Sequence, residues 1–357
     1  MIEKVEVIQT TLGRSCIAKC DIPAGSILFS EDSLLSQLEF NLLGELCSYC
    51  FATLMNVTRS CDNCLAKFCS LTCYQKGYQL HTSICKIPST RIIPQQYLAV
   101  KLIHGSKIIE KIDTLANPTP LFPSFNLTSN QFILTLDDNI NIIEKYSEEI
   151  PKIKIGVELI AKKLKYSISQ EQDLLKYTLK LKNNAFMVNG VKLDQLSGNS
   201  ENISIGTVLY TYGSFFQHSC DPNVFYLFDK MKPTRITFRT LKKVLKGEEL
   251  NISYGPLKFQ DCTSSRQKET LEKWGFCCKC KACNLNDDEF ALKYNGYLCP
   301  QCCKSPDIKK EISQCDADFH QKFFKNLDAE INNFFYNCNS MNVGDCIKFL
   351  NFVRGKD

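Results

Sequence analysis

Short stretches in which hydrophobic and polar residues alternate occur in two separate regions of the chain. "KVEVIQT" and "SILFSED" lie within residues 1–46, whereas "TRITFRTL" and "EELNISYG" lie within residues 203–254. A period of two residues is typical of half-buried β-strands. The sequence therefore predicts strands in both regions.

Between these regions, residues 88–182 show hydrophobic positions with helical spacing. The segments are "QQYLAVKLIHGSKIIEKI", "NINIIEKYSEEI", "IGVELIAKKLKY" and "QDLLKYTLKLK". "ANPTPLFPSF" contains three prolines and predicts a loop. A further helix is expected before "WGFCCKCKAC", and residues 285–357 have a mostly helical pattern. One β domain interrupted by insertions explains this order better than a string of independent domains.

Composition narrows the class of protein. The 357 residues suffice for two or three domains with a sizeable core. The net charge of +5 is spread along the chain, which does not indicate a dedicated nucleic-acid-binding protein. No apolar run is long enough for a membrane span, and the N-terminus lacks the pattern of a signal peptide. An intracellular protein, cytoplasmic, nuclear or both, is therefore expected.

The 21 cysteines point to metal binding, because intracellular thiols stay reduced. From Cys47 to Cys85 the spacing is C-x2-C-x10-C-x2-C-x4-C-x3-C-x7-H-x3-C. Eight ligands of this kind supply two closed tetrahedral Zn²⁺ sites, which are structural because no position is open to a reactive water.

A second cluster, in "FCCKCKAC", contains Cys278, Cys280 and Cys283, three thiolates at C-x-C-x2-C spacing. A closed zinc site needs a fourth ligand, and Cys220 in "HSCDPN" is the candidate. A buried free thiol and a nucleophile paired with His218 are the alternatives. Further along the chain, four more cysteines either bind a fourth zinc or are free thiols: Cys299, Cys302, Cys303 and Cys315.

The spacing over residues 47–85 closely resembles the MYND zinc finger. "GSFFQHSCDPNV", "GEELNISYG" and "FCCKCKAC" together resemble the SET domain and its post-SET zinc site. Over roughly residues 5–283 the chain is therefore similar to the SET and MYND domain-containing (SMYD) protein-lysine methyltransferases.

The resemblance implies a zinc-rich α+β fold. In it, a SET β-fold is split by a MYND finger and a helical insert, and is followed by a post-SET zinc site and a helical C-terminal tail. The predicted segments are 1–46 (N-terminal part of SET), 47–85 (MYND finger), 86–182 (helical insert), 183–255 (core SET), 256–284 (post-SET) and 285–357 (short C-terminal region).

Three structural zinc ions follow from the same resemblance. Their implied ligands are Cys47, Cys50, Cys69 and Cys73 for the first, Cys61, Cys64, His81 and Cys85 for the second, and Cys220, Cys278, Cys280 and Cys283 for the third.

The resemblance also implies S-adenosylmethionine as methyl donor and a lysine of a protein as acceptor. Tyr254 of "NISYG" would lie at the reacting methyl, and Phe186 of "NNAF" would line the lysine channel. Residues implied to contact the cofactor are Arg14, Asp137, Asn139, Asn184, Gln217, His218, Tyr254, Trp274 and Phe276.

Three positions depart from the family pattern. Gln217 stands where Asn is usual, Ser15 where a second Gly is usual, and Leu12 where Lys is common. A longer side chain near the cofactor, or the lost backbone freedom of Gly, can weaken cofactor binding.

Two functional hypotheses therefore remain. One is a monomeric protein-lysine methyltransferase whose MYND finger binds partner proteins, often proline-containing peptides. The other is an inactive SET/MYND adaptor or transcriptional co-regulator that acts through the finger alone. A DNA-binding zinc protein is disfavoured, because the finger lacks a ββα pattern.

Overall fold

A computed structural model describes residues 3–10, 13–55, 57–87, 90–116, 136, 139–193, 200–258 and 261–284. Leu12, Asp137 and the whole C-terminal segment 285–357, with its candidate fourth zinc site, lie outside the described residues.

The N-terminal strands occur where the alternating pattern predicts them, and the finger follows. The elements are β1 (Val5–Thr10), β2 (Gly13–Ala18), β3 (Ile27–Asp32), β4 (Leu35–Leu38), β5 (Arg59–Ser60), β6 (Lys67–Phe68) and α1 (Leu71–Thr82).

The helical insert consists of α2 (Pro94–Ala116), α3 (Ile140–Tyr146), α4 (Ile150–Leu164) and α5 (Ile168–Asn184). On α4 the buried residues Ile150, Ile153, Val157 and Ile160 recur every three or four positions, as a one-sided helix requires. "NINIIEKYSEEI" is not one helix, because the backbone of Ser147 is extended and α4 begins anew with a proline in its first turn.

The described residues after the helical insert return to strands, and two helices follow these strands. These elements are β7 (Phe186–Leu193), β8 (Ser200–Leu209), β9 (Gln217–His218), β10 (Val224–Phe228), β11 (Arg235–Thr240), β12 (Glu249–Ile252), α6 (Thr263–Trp274) and α7 (Lys281–Asn284).

Strands that precede the finger pair with strands that follow the helical insert. The sheets β1-β2-β12-β9, β10-β11-β3 and β4-β8-β7 each combine strands from before and after the insertions. The finger and the helical insert are therefore loops out of one β domain, as the order of segments predicts. The exact domain boundaries stay predictions.

One short parallel pair positions the later site. β9 pairs with β12 so that Gln217 is opposite Asn251 and His218 is opposite Ile252. The strand β12 leads directly to Tyr254, which therefore lies beside the "QHSC" segment.

A single hydrophobic core joins the strands to the helical insert. It includes Val7 of β1, Leu98 of α2, Leu179 of α5 and Leu209 of β8, each less than one-twentieth exposed. Within the described residues, none of the helices combines the length and apolar character that crossing a bilayer requires.

The finger contacts this β domain through a tightly packed glycine. Phe51 has a left-handed backbone (φ 63°) and is 1% exposed. A Cβ on Gly206 of β8 would lie 2.8 Å from the Phe51 ring and would collide with the carbonyl oxygen of Gln37. Only glycine fits between the sheet and the finger at this point.

We expect Gly206→Ala to lower the free energy of unfolding by about 1–3 kcal/mol, because the added methyl overpacks a backbone carbonyl and a buried ring. Thermal unfolding of the zinc-loaded protein measures this. Gly190→Ala in the neighbouring β7 is the control, since its Cβ would meet only the flexible side chain of Ile205. Equal melting temperatures for the two variants would contradict the packing argument.

Candidate active site and zinc centres

The first cluster of the finger brings four cysteines together. All four Sγ atoms of Cys47, Cys50, Cys69 and Cys73 lie within 4.8 Å of one another, with 3.6 Å between Cys50 and Cys69 and between Cys69 and Cys73. Zn–S bonds of about 2.3 Å give a tetrahedron with edges of about 3.8 Å, whereas a disulfide is about 2.0 Å long. This donor set fits Zn²⁺.

The second cluster contains three cysteines and one histidine. Cys61 and Cys85 are separated by 3.6 Å between Sγ atoms, and Cys64 Sγ is 3.2 Å from His81 Nε2. Burial lowers the pKa of His81 to about 4, so the imidazole is neutral, the form that ligates metals. This cluster fits a second Zn²⁺.

Helix α1 connects the two finger sites. Ser70 caps its N-terminus by accepting a 3.1 Å hydrogen bond from the amide of Cys73, a ligand of the first site. His81, a ligand of the second site, lies in the last turn of the same helix. One helix therefore carries a ligand of each site, which is part of the reason why the ligands of the two sites alternate along the sequence.

The third cluster answers the question of the missing ligand. Cys220 Sγ lies 3.8 Å from that of Cys278 and 3.7 Å from that of Cys283, and Cys280 completes the group. Cys220 is fully buried, so it is a ligand position of a closed site and not an accessible nucleophile. The three predicted zinc sites are confirmed, and the structure groups their ligands as the resemblance implies.

His218 joins this zinc centre to Tyr254. The backbone N–H of Tyr254 donates to His218 Nδ1 at 3.0 Å, so Nδ1 carries no proton. The ring proton of the neutral imidazole is then on Nε2, which lies 3.3 Å from Cys220 Sγ and donates to it. Burial lowers the pKa of His218 to about 4, which keeps the ring in this state at neutral pH.

Arg266 is the second donor to the zinc thiolates, and sequence reasoning missed it. Its guanidinium is 1% exposed and donates to Cys283 Sγ at 3.8 Å. Four thiolates around one Zn²⁺ carry a net charge of −2, which a buried cation partly offsets. Nothing in the pattern of α6 distinguishes this arginine from the solvated charges beside it.

Asn223, the last residue of "HSCDPN", was also missed as a structural residue. Its amide donates to the carbonyl of Glu249 at 2.7 Å and accepts from the amide of Asn251 at 2.9 Å. It therefore fixes β12, and with it Tyr254, against the segment that carries His218 and Cys220.

Tyr254 lies at the centre of a half-buried group of rings. Its hydroxyl donates to the carbonyl of Phe216 at 2.7 Å. Ring centroids lie 5.9 Å from Trp274 and 6.3 Å from Phe276, and His218 is 5.9 Å from Phe276. Burial raises the pKa of Tyr254, so the phenol stays protonated.

The end of α6 sets the position of the two aromatic residues beside Tyr254. Gly275 ends the helix with a left-handed backbone (φ 75°), and a Cβ there would lie 2.8 Å from that of Asn139. Asn139 Nδ2 donates to the carbonyl of Trp274 at 2.8 Å. Asn139 therefore contacts the end of α6, which holds Trp274 in place. Asp137 lies outside the described residues.

Arg14 and Gln217 are joined by a hydrogen bond. Gln217 Nε2 donates to the carbonyl of Arg14 at 2.6 Å, so the Gln217 side chain connects β9 to β2, with β12 between them in the sheet order. The Arg14 guanidinium carbon is 4.5 Å from the Phe215 ring centroid, and burial lowers the pKa of Arg14 to about 10.

Ser15 needs no glycine-like conformation. It lies in β2 opposite Ile8, and its backbone does not adopt the left-handed conformation that favours glycine. Its hydroxyl donates to the carboxylate of Glu249. The departure from Gly at this position therefore adds a contact between β2 and β12.

Phe186 and Asn184 lie in an adjoining region. The Phe186 ring meets Tyr210 and Tyr226 edge-on, at 5.4 and 5.1 Å between centroids. Asn184 donates to Lys180 one turn earlier at 2.8 Å. Rings connect this region to the loop beside Tyr254: Phe186 lies 6.2 Å from Phe238, which lies 4.7 Å from Phe216.

We expect Cys220→Ser to leave one zinc fewer per chain after dialysis against EDTA, because a serine hydroxyl is not deprotonated at neutral pH. Zinc content by mass spectrometry measures this. Cys20→Ser is the control, since Cys20 is exposed and belongs to none of the three clusters. An unchanged zinc content for Cys220→Ser would contradict the assignment.

Comparisons with known proteins agree with this architecture. A SET domain family model matches residues 13–255. A SET and MYND domain-containing protein from Dictyostelium discoideum is 26% identical over 328 residues, covering 80% of this chain and 60% of that protein. Histone-lysine N-methyltransferase SMYD1 from Homo sapiens is 24% identical over 344 residues, covering 91% and 64%. Histone-lysine N-methyltransferase SMYD3 from Mus musculus is 26% identical over 302 residues, covering 80% and 63%.

The chain thus spans less than two thirds of the length of these curated relatives. The family match nevertheless extends over more than half of the chain and encloses both zinc sites of the finger. The chain belongs to the SET domain family.

Proposed function

We propose that this chain is an S-adenosylmethionine-dependent protein-lysine N-methyltransferase. The observation that carries the proposal is the position of Tyr254. Its N–H and O–H groups are both held by the segment around "QHSC", through His218 and the Phe216 carbonyl, and its ring lies beside Trp274 and Phe276. The family to which the chain belongs supports the same activity.

The residues around Tyr254 fit the chemistry of this cofactor. S-adenosylmethionine, when bound, supplies an electrophilic methyl group on a sulfonium. Arg14 is a partly buried cation suited to the amino-acid carboxylate, which would offset its desolvation. The half-buried rings of Trp274 and Phe276 offer apolar surfaces on which an adenine stacks.

The chain's own residues would prepare the lysine. A lysine amine is nucleophilic only when neutral, and an aromatic, poorly solvated channel lowers its pKa. Phe186 and Tyr226 supply such surfaces, and the displaced proton leaves to solvent. Because the Tyr254 hydroxyl donates a hydrogen bond to the Phe216 carbonyl, its oxygen lone pairs are available to face the reacting methyl. Alignment of the lysine amine with the methyl group would then account for most of the rate enhancement, and acid–base chemistry for little of it.

We expect zinc-loaded protein to bind S-adenosylmethionine, and Phe276→Ala to weaken binding about tenfold, since stacking on a base is worth about 1–3 kcal/mol and 1.4 kcal/mol is tenfold. Tyr254→Phe should bind nearly as well as wild type but transfer methyl groups about 100-fold more slowly. Titration calorimetry and transfer of a radiolabelled methyl to core histones measure these effects.

Tyr78→Phe, on the finger, is the control for these variants. Folded protein with all its zinc but without any binding of S-adenosylmethionine would refute the enzyme hypothesis. The adaptor hypothesis would then account for the chain.

We further propose that the finger binds partner proteins through exposed apolar side chains. Met55 is 87% exposed, Leu65 69%, Leu71 51% and Val57 47%. These four exposed apolar side chains on one small module support the proposal, because exposed apolar surface is where a partner protein gains contact area. We propose proline-containing segments as the ligands of the finger. We also propose that the protein is a monomer and that it works in the cytoplasm, the nucleus or both.

We expect Leu65→Asp to weaken binding of a fluorescein-labelled polyproline peptide about tenfold, because a charge replaces an exposed apolar contact. Fluorescence anisotropy measures this. Ile168→Asp is the matched control, since Ile168 is 79% exposed but lies at the start of α5. Equal losses for the two variants, or no binding by wild type, would contradict the finger proposal.

A further inference from the structure

Glu31 of β3 holds three consecutive backbone amides. Its Oε1 accepts from the N–H of Thr211 at 2.6 Å and of Tyr212 at 2.9 Å, and its Oε2 accepts from Gly213 at 3.0 Å. Successive amides that converge on one point form an anion-binding arrangement. Here a carboxylate of the chain itself occupies it, through charge-assisted hydrogen bonds.

Residues 211–217, the site loop, have little regular structure of their own. A three-residue 3₁₀-helix covers Gly213–Phe215, and the amide of Phe215 donates to Tyr212 at 3.0 Å. A helix this short leaves its first amides without internal acceptors. Because Tyr212 and Gly213 are buried, the Glu31 carboxylate supplies the hydrogen-bond acceptors that water would supply to exposed amides.

The site loop contacts the proposed active-site residues on several sides. The Phe216 carbonyl accepts from the Tyr254 hydroxyl at 2.7 Å, and Gln217 Nε2 donates to the carbonyl of Arg14 at 2.6 Å. The Ser214 hydroxyl lies 2.6 Å from the carbonyl of Tyr210 and 3.1 Å from that of Asn184. The Phe215 ring also lies under the Arg14 guanidinium. The position of the loop therefore determines how these side chains face one another.

We propose that Glu31 is a positioning residue for methyl transfer, which it serves by fixing the site loop and thereby the carbonyl that receives the Tyr254 hydroxyl. This inference rests on the proposed function. Glu31 acts only through the loop. Its role is independent of its neighbour Asp32, which is half exposed and pairs at the surface with Lys232 and Arg235, at 2.8 and 3.2 Å.

The test compares Glu31→Gln with the control Asp32→Asn in the full zinc-loaded chain. Glutamine is isosteric, but its N–H₂ group is a donor. With the glutamine oxygen facing Thr211 and Tyr212, the bond from the Gly213 amide is lost and the other two become neutral. Glu31→Asp, which keeps the charge and shortens the reach, provides a second variant if Glu31→Gln folds poorly. Asp32→Asn removes two surface ion pairs, which contribute little to stability.

Hydrogen exchange is the readout that does not depend on activity. We expect amides 211–217 to exchange at least about tenfold faster in Glu31→Gln than in wild type or Asp32→Asn, an opening free energy lower by about 1.4 kcal/mol. Unchanged exchange in this segment would overturn the anchoring role.

A double-mutant cycle on kcat separates positioning from general stability. Glu31→Gln should lower kcat about tenfold in wild type but less than about twofold in the Tyr254→Phe background, because the hydroxyl that uses the loop is then absent. Equal effects in both backgrounds, or faster exchange with an unchanged kcat, would overturn the proposal. A wild-type chain without methyl transfer would refute the proposed function, while the exchange data would still decide whether Glu31 anchors the loop.

Discussion

The arrangement of the site depends on the contact between the segment of residues 217–223 and strand β12. The two-residue parallel pairing is too short to be stable by itself. Side chains complete it, because Asn223 binds β12 through both its donor and its acceptor and His218 accepts the amide of Tyr254. Since the two partners are far apart in sequence, the site forms only when the β domain closes.

Zinc extends this contact to the residues that follow. Cys220 belongs to the same segment, and its three partner thiols come from the end of the described chain. Closing the metal site therefore brings Trp274 and Phe276 against Tyr254. The His218 ring proton and the Arg266 guanidinium stabilise the thiolate charge, so the electrostatics of the metal and the geometry of the tyrosine depend on shared residues.

The departures from the family pattern are accommodated by specific contacts. Gln217 reaches the carbonyl of Arg14, and the Ser15 hydroxyl binds Glu249 of β12. Both contacts tie β2 to the strands beside Tyr254, and neither removes a group that the proposed chemistry needs. These contacts therefore stabilise the side of the site at which the cofactor is proposed to bind. They favour the enzyme hypothesis over the adaptor hypothesis.

The zinc sites, the alternation of strand and helical regions and the family could be predicted from the amino-acid sequence, because ligand spacing and hydrophobic period are local properties of the chain. The sequence also singled out Tyr254, His218 and Cys220 through short motifs. The Nε2 proton of His218, which faces Cys220, and the contacts of Glu31, Arg266 and Asn223 became visible in the folded structure. Those roles arise from contacts between residues remote in sequence, where a single glutamate or arginine has no pattern that distinguishes it from a solvated charge.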